Sequence, residues 1–193
     1  MNKVECHPWE PFLPEGARLL MLGSFPPGRH RWSMEFFYPN PQNDMWRIVG
    51  WLAYGDKEHF ALPEKRAFDR EKVERFCTER GIALYDTATE VIRLKNNASD
   101  SALQVVREVD IKALLRAIPA CCDVVTTGGK ATEILCRQFE VEAPPVGESV
   151  EALFEGRNVR LWRMPSSSRA YPRPIEWKAE FYRKVLLASK IIG

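Results

Sequence analysis

Long apolar runs, a paired set of cysteines and obvious metal-ligand spacings are all missing from this 193-residue sequence. No window approaches the roughly 20 apolar residues of a membrane span, and the N-terminus MNKVECHPWEPF has no signal-peptide core, so we expect a cytoplasmic protein without a membrane partner. The five cysteines are odd in number, and Cys121 and Cys122 are adjacent, which does not suit a disulfide framework. No Cys-x-x-Cys or His-x-x-x-His spacing occurs, so we expect neither a metal nor a cofactor.

Signatures of phosphate loops and nucleophile elbows are missing as well. The loop GSFPPG (23–28) lacks the GxGxxG spacing of dinucleotide sites, and its two prolines remove backbone donors. No GxxxxGKS or GxxxxGKT segment occurs, and without GxSxG there is no reason to assign Ser24 as a nucleophile. A phosphate- or nucleotide-metabolising α/β enzyme would therefore lack its expected machinery.

What the chain does have is the composition of an ordinary globular domain, with 45% apolar and 28% charged residues. Its length fits one domain, residues 1–193, with a sizeable core. The net charge is only +2, but the segment 156–174 carries five arginines and no acid, and the only charges in 16–34 besides His30 are three arginines. Such clustering is expected if one face meets an anion, although arginines that merely solvate two loops give the same pattern.

Short apolar runs alternate with amphipathic stretches along the chain. We predict strands at 17–23, 81–86, 122–128 and 158–164, and helices at 44–54, 63–80, 110–118, 129–139 and 174–191. This alternation indicates an α/β fold, a three-layer sandwich with a central four-stranded, mostly parallel sheet flanked by helices. Ligands bind at the carboxyl ends of such strands. Four loops stand there: GSFPPGRHRW (23–32), DTATEV (86–91), TGGK (127–130) and MPSSSRAYPRP (164–174).

Two segments carry the most chemistry. In MPSSSRAY, three consecutive hydroxyls and Arg169 offer several donors to phosphate oxygens, although a serine-rich turn after a strand has the same letters. In EFFYPNPQNDMWRIVG (35–50), aromatic rings offer a stacking face to a planar base, and a carboxamide such as that of Asn43 can hold water or pair with a heterocycle edge. The alternative is that Asn43 caps the following helix and the aromatics fill the core.

Together these segments resemble the uracil-DNA glycosylase superfamily, in particular its mismatch-specific (thymine/uracil) and hypoxanthine-DNA glycosylase branches. LMLGSFPPG followed by FFYPNPQNDMWRIVG is similar to the first motif region, a strand, a Gly-x-x-Pro loop and an aromatic-x-x-Pro-x-Asn-x-Phe-Trp segment. MPSSSRAYPRP resembles the loop that grips DNA in the mismatch enzymes. GIALYDTATEVIRLKNNASDSAL, VDIKALLRAIP and TTGGKATEIL resemble the middle of the hypoxanthine branch, so the likeness covers roughly residues 17–186.

Two departures from the family pattern bear on the chemistry. Phe25 stands where the mismatch enzymes carry a water-positioning asparagine, as it does in the hypoxanthine branch, which implies that Asn43 supplies the catalytic carboxamide. The aspartate that activates water in the uracil enzymes has no counterpart in this loop. Met45 replaces the phenylalanine of the second segment, a conservative core change.

The resemblance implies a monofunctional enzyme that hydrolyses the N-glycosidic bond of a flipped-out uracil or hypoxanthine in double-stranded DNA and leaves an abasic site. Its partner is a duplex with a damaged or mismatched base, and we expect a monomer. Tyr38 and Phe25 would bind the base, while Asn43 and Ser24 would be catalytic. DNA contacts would come from Ser166, Ser167, Ser168, Arg169 and Arg163. The alternative is a non-catalytic DNA-binding or damage-sensing relative with the same fold.

Overall fold

Strands and helices alternate along most of the chain in the computed structural model, which describes residues 3–94 and 102–193. The strands are β1 (Val4–Cys6), β2 (Leu19–Gly23), β3 (Ala61–Leu62), β4 (Ala67–Phe68), β5 (Ile82–Asp86), β6 (Ala88–Arg93), β7 (Leu103–Glu108), β8 (Asp123–Thr127), β9 (Ser149–Phe154) and β10 (Arg157–Met164). The α-helices are α1 (Met45–Tyr54), α2 (Arg70–Arg80), α3 (Ile111–Ala117), α4 (Gly129–Phe139) and α5 (Ile175–Ala188). Two short 3₁₀ helices cover Arg29–Arg31 and Pro63–Lys65.

The largest sheet contains the four predicted strands in the order β5-β2-β8-β10, and they are parallel to one another. Every residue of β2, β5 and β8 is buried. Because successive side chains of a strand point to opposite faces, this burial means that both faces of the sheet are covered. The register pairs Gly23 with Asp86 and Thr127 with Met164, so the carboxyl ends of all four strands meet at one edge.

The predicted count of four strands is wrong by one, because β9 extends the sheet as an antiparallel edge strand on β10. Glu155 and Gly156, which join the two strands, both have positive φ values, 49° and 82°. A two-residue hairpin loop of this kind usually reads Asn-Gly or Asp-Gly. The Glu-Gly pair does not stand out in the sequence, and only Ala152 and Phe154 of β9 are buried, so no apolar run marks the strand.

The segment DTATEV, predicted to be a loop, contributes mostly to a strand. Only Thr87 separates β5 from β6, which lies in a second, antiparallel sheet of order β1-β6-β7. Ala88 and Val91 are the buried residues of β6, and this sparse burial is why the segment lacks the apolar run of a core strand. The part of the middle family-like segment at 95–101 lies outside the described residues.

The helices match their predicted positions, except that α2 begins at Arg70 instead of near residue 63. Arg66 has a left-handed backbone (φ 48°), which ends the preceding 3₁₀ turn, and β4 intervenes. The Asp69 carboxylate then accepts the Lys72 N–H at 3.1 Å and caps the true helix. Pro174 immediately precedes α5 as its N-cap residue. Among the residues described, no helix has the length and apolar character required to cross a membrane.

Candidate functional site

A cleft lies at the edge where the parallel strands end, the position predicted from the strand order. Gly23 and Asp86 at the ends of β2 and β5 and Thr127 at the end of β8 line it from the sheet. The loops that follow the strands, together with the segment before α1, supply the remaining walls. These contribute Trp9, Ser24, Phe25, Pro26, Pro27, Phe37, Tyr38, Pro39, Asn40, Asn43, Arg93, Leu103, Ser166, Ser167 and Ser168. The structure thus brings together all the predicted site residues except Arg163 and Arg169.

Tyr38 reaches from the aromatic segment to the floor of this cleft. Its backbone is left-handed (φ 52°), its ring meets Trp46 edge-on at 6.0 Å, and its hydroxyl lies 3.4 Å from Thr127 Oγ1. Burial, and after it the Asp86 carboxylate, raises the pKa of Tyr38 well above its usual value. The hydroxyl therefore keeps its proton and is available as a hydrogen-bond donor. Phe36 and Phe37, the preceding aromatics, are buried in the core.

The two asparagines of this segment have different roles. Asn40 Oδ1 accepts the Gln42 N–H at 2.9 Å, the contact of a turn residue. Asn43 Oδ1 accepts the Met45 N–H at 2.9 Å, a turn contact just before α1, and the side chain also lines the cleft. The alternative that Asn43 caps the helix is wrong, because the N-cap residue of α1 is Asp44 and this helix start has no side-chain cap hydrogen bond. The carboxamide keeps its Nδ2 donor and the second lone pair of Oδ1 for a ligand in the cleft.

Ser24 and Phe25 follow β2 directly. Ser24 is buried, and its carbonyl accepts the Ala88 N–H at 3.2 Å, which fixes the loop against the start of β6. The Phe25 ring meets His7 edge-on at 5.5 Å and lies beneath the Arg93 guanidinium at 5.6 Å. Both residues line the cleft, and their contacts with β6 and His7 fix the loop.

The serine loop, residues 165–169, is joined to the segment before α1 by backbone pairing. Asn43 and Ser168 form an antiparallel bridge. The Asp44 N–H donates to the Ser167 carbonyl at 2.9 Å, and the Arg169 N–H donates to the Gln42 carbonyl at 3.0 Å. Two walls of the cleft that are far apart in sequence are therefore one connected structure.

A buried charge cluster lies beneath this junction. Asp44 is 2% exposed, and its carboxylate contacts Arg169 Nε at 2.8 Å and Lys178 Nζ at 3.4 Å. Lys178 is fully buried on α5 and also donates to the Ser168 carbonyl at 2.9 Å and the Ser167 carbonyl at 3.3 Å. Burial lowers the pKa of Lys178, and the neighbouring Asp44 carboxylate partly offsets this effect. The cluster holds the serine loop on the body of the protein.

The arginines of the segment 156–174 do not form one basic surface. Arg157 donates to the Leu115 carbonyl at 2.6 Å, and Arg160 pairs with the buried Asp123 at 2.8 Å. Arg163 donates to the Pro144 carbonyl at 3.2 Å and lines neither the cleft nor the groove described next. The expectation that these arginines face one anion together is therefore not met. A strand sends alternate side chains to opposite faces, and distant carbonyls bind several of them.

A basic groove adjoins the cleft and shares Asn40 with it. Its charged or titratable lining residues are His30, Arg31, Arg47, Glu58, Lys65, Arg66 and Arg169. Arg31 and Arg169 lie in the two segments that the sequence identifies as basic. Arg47, Lys65 and Arg66 were not predicted, because they lie within or next to helical segments. With Glu58 as the acid among these residues, the groove is predominantly positive.

One residue pair at the cleft was not predicted from the sequence: Asp86 lines the cleft, and it contacts His7, which is not among the lining residues. His7 Nε2 lies 2.9 Å from Asp86 Oδ2, and His7 Nδ1 lies 2.8 Å from the Trp9 carbonyl. Asp86 had a signal, because it directly follows an apolar strand at the predicted site edge. His7 and Trp9 had none, because the contact spans 79 positions of sequence.

No group of three or more histidine, cysteine, aspartate or glutamate side chains in residues 3–94 and 102–193 is placed to share a metal ion. The polar side chains that line the cleft instead carry hydroxyls, two carboxamides, a carboxylate and a guanidinium. These groups can hydrogen-bond a flat heterocycle, and Trp9, Phe25, Phe37 and Tyr38 offer it aromatic surface.

The fold and site together define an α/β protein with an aromatic and polar cleft at the carboxyl ends of a mostly parallel sheet. No protein-family model and no curated protein matches the chain. Among solved structures, it is similar to the solution NMR structure of "a putative Uracil DNA glycosylase" from Methanosarcina acetivorans. The TM-score is 0.65 at 21% sequence identity, over 97% of this chain and 99% of the other. The two proteins share the fold, which agrees with the resemblance seen in the sequence.

Proposed function

We propose that this protein is a monofunctional DNA N-glycosylase that hydrolyses the bond between deoxyribose and a deaminated or mispaired base, uracil or hypoxanthine. The observation that carries the proposal is the cleft itself. It joins the loop after β2, the Tyr38–Asn43 segment and the serine loop, which are among the segments of the sequence that resemble the family. The fold shared with the archaeal protein supports the same class.

A base inside a duplex is out of reach of such a cleft, so it would be flipped out of the stack at a cost of a few kcal/mol. Tyr38 and Phe25 would bind the flipped base. As the glycosidic bond breaks, negative charge develops on the leaving base, and Ser24 with its neighbouring backbone amides would stabilise it. Asn43 would position the attacking water through its Nδ2 donor, since Oδ1 holds the Met45 amide.

The serine loop would contact the DNA backbone through Ser166, Ser167, Ser168 and Arg169. Arg169 is half-exposed, and its Nη atoms extend from a guanidinium whose Nε is held by Asp44. The basic groove beside the cleft would take the duplex phosphates, which makes binding sensitive to salt. Arg163 would enter this interface only if the DNA reaches beyond the cleft and groove. We place the whole activity in one domain over 1–193, acting as a cytoplasmic monomer.

One observation favours a second candidate, a non-catalytic DNA-binding or damage-sensing relative. Phe25 stands where the mismatch enzymes have asparagine, and the Asn43 oxygen is committed to a backbone N–H. A protein of this kind would bind the altered duplex through the same cleft and groove but release no base.

A panel of duplexes carrying uracil, hypoxanthine, xanthine or a G·T mispair separates the two candidates. We expect alkali-labile strand breaks with the wild-type protein on uracil or hypoxanthine. The informative variant is Asn43→Ser, because a serine Oγ can still accept the Met45 N–H, whereas the Nδ2 donor is lost. Activity should fall about 100-fold while helix α1 stays intact. Asn158→Ala, a carboxamide change at an exposed position of β10 that lines neither the cleft nor the groove, serves as the control and should retain activity. Tight binding without product on every duplex would leave only the non-catalytic candidate.

A further inference from the structure

The loop after β2, residues 24–27, lacks half of its backbone donors, because Pro26 and Pro27 have no N–H. Side chains from elsewhere bind the carbonyl oxygens of these two prolines. Arg93 Nη2 donates to the Pro26 carbonyl at 2.5 Å. Trp32 Nε1 donates to the Pro27 carbonyl at 2.7 Å. The position of this wall of the cleft therefore depends on two residues from other parts of the chain.

The Arg93 guanidinium is itself held in place. Its side chain is 13% exposed, and its Nε lies 3.0 Å from each carboxylate oxygen of Glu5. Because the guanidinium donors form a rigid planar fork, the contact with Glu5 sets the direction in which Nη2 meets the Pro26 carbonyl. Glu5 belongs to the N-terminal segment, residues 5–9, and does not line the cleft.

The N-terminal segment supports the loop at two further points. The His7 ring meets the Phe25 ring edge-on at 5.5 Å. The Trp9 ring packs on the Trp32 ring with 4.6 Å between their centres. Together with Glu5, these residues contact either the loop or a side chain that anchors it. A segment that is distant from the loop in sequence therefore supports this wall of the cleft.

We infer that Arg93 and Glu5 are positioning residues of the reaction: Arg93 holds the loop 24–27 in place, and Glu5 acts through Arg93. The loop carries Ser24 and Phe25, which stabilise the leaving base and bind it in the proposed function. A displacement of such groups by about 1 Å is enough to lower a rate about 100-fold. The inference rests on the proposed function, because it presupposes that a base is released in the cleft.

Replacing Arg93 by lysine separates positioning from charge. Arg93→Lys keeps the positive charge, but one ammonium group cannot replace two donors at fixed angles. Single-turnover kinetics on a uracil duplex should show the excision rate reduced about 10- to 100-fold in Arg93→Lys and Arg93→Gln alike, with the Kd for the duplex unchanged. A full rate in Arg93→Lys, or a weaker Kd in Arg93→Gln alone, would show that the charge acts on the base or on phosphates, and would overturn the inference.

The matched control is Arg107→Gln. Arg107 pairs with Glu90 at 3.2 Å in the same antiparallel sheet, and it lines neither the cleft nor the groove. This variant loses an arginine–glutamate pair without touching the loop, so its excision rate should equal that of the wild type. A loss as large as that of Arg93→Gln would mean that the sheet as a whole, and not the loop anchor, sets the rate.

Glu5 tests whether the effect passes through Arg93. Glu5→Ala should lower the excision rate about tenfold in the wild-type background and by less than about twofold in Arg93→Gln, where the contact is already gone. Equal losses in both backgrounds would contradict an action through Arg93. A merely structural role predicts a lower melting temperature with an unchanged excision rate for the folded fraction, and that result would also count against the inference.

Hydrogen exchange of the Trp32 indole N–H, followed by NMR, distinguishes failure of this inference from failure of the proposed function. The indole donates to Pro27, next to the carbonyl that Arg93 holds, so it reports on the loop without DNA. Exchange should be about tenfold faster in Arg93→Gln than in the wild type or in Arg107→Gln. Unchanged exchange with uracil excised would refute the inference and keep the glycosylase. Faster exchange with no duplex cleaved by the wild type would keep the loop anchor and refute the enzyme, and unchanged exchange without cleavage would refute both.

Discussion

Replacing Asp44 by asparagine tests the buried charge cluster beneath the serine loop. The change keeps the size of the side chain but removes the negative charge that faces Lys178 at 3.4 Å and Arg169 at 2.8 Å. The fully buried ammonium would then have only the carbonyls of Ser167 and Ser168 as partners. Removing one member of a buried ion pair typically costs about 3–5 kcal/mol, because the other charge stays buried without compensation.

The structure sets the expected loss within that range. The Arg169 contact is half-exposed, so it contributes no more than about 1 kcal/mol. The two carbonyl bonds to Lys178 survive the change, which points to the lower end, about 3 kcal/mol in total. The double variant Asp44→Asn with Lys178→Met removes both charges and should regain most of that loss. Arg169→Gln is the matched control and should cost less than about 1 kcal/mol.

Urea denaturation of the four proteins measures these differences, and its dependence on pH supplies an independent check. Burial already lowers the pKa of Lys178 from 10.5, and loss of the Asp44 carboxylate lowers it further. The unfolded chain then binds a proton that the folded variant releases, so the stability penalty of Asp44→Asn should shrink as pH rises toward 10.5. A loss below about 1 kcal/mol at every pH, or a double variant no better than Asp44→Asn, would refute the reasoning.

Three further predictions concern other parts of the molecule. Burial raises the pKa of Tyr182 above 10.0, so the stability that its protonated hydroxyl contributes is present below pH 10 and is lost above it. Above pH 10 the free energy of unfolding, measured with urea, should therefore fall less steeply with pH in Tyr182→Phe than in the wild type, by up to about 1.4 kcal/mol per pH unit. Gly23→Ala should displace Asp86 and lower uracil excision about tenfold or more in the duplex panel. The added Cβ should also lower the melting temperature; a melting temperature equal to that of the wild type would show that the strand accommodates it without strain. Trp46→Phe removes the donor to the buried Phe37 carbonyl at 3.0 Å and should cost about 1–3 kcal/mol by thermal unfolding; a smaller loss would mean that this carbonyl finds another partner.

The parts of the fold that could be predicted are those with a local cause. Strands β2, β5 and β8 are buried along their whole length because both faces of the sheet are covered. The apolar residues of β2 and β5 and the β-branched residues of β8 are visible in the sequence without any knowledge of partners. Strand β9 was not predicted because only two of its six residues are buried and because the turn that follows it is Glu-Gly. Strand β6 was missed because its neighbours, β1 and β7, are distant in sequence or weakly patterned.

In the candidate site too, the residues that lie in local motifs could be predicted, and those placed by long-range contacts could not. Ser24, Tyr38 and Asn43 lie in motifs whose order along the chain suggested a cleft, and the cleft contains all three. His7 has no local pattern, since its role comes from a contact with Asp86 that only the folded chain creates. The arginines show the opposite error, because residues such as Arg160 cluster in sequence yet find separate internal partners.

The pairing between the serine loop and the segment before α1 has a consequence for protein engineering. The serine loop, 165–169, is short, so it could be taken for a unit that can be grafted alone onto another scaffold. Its conformation, however, depends on residues outside the loop. Backbone hydrogen bonds join Ser167 to Asp44 and Arg169 to Gln42, and Lys178 Nζ donates to the Ser167 carbonyl. The unit that could be transferred is therefore discontinuous. A graft of the loop alone would lack the segment before α1 that holds the loop in its conformation.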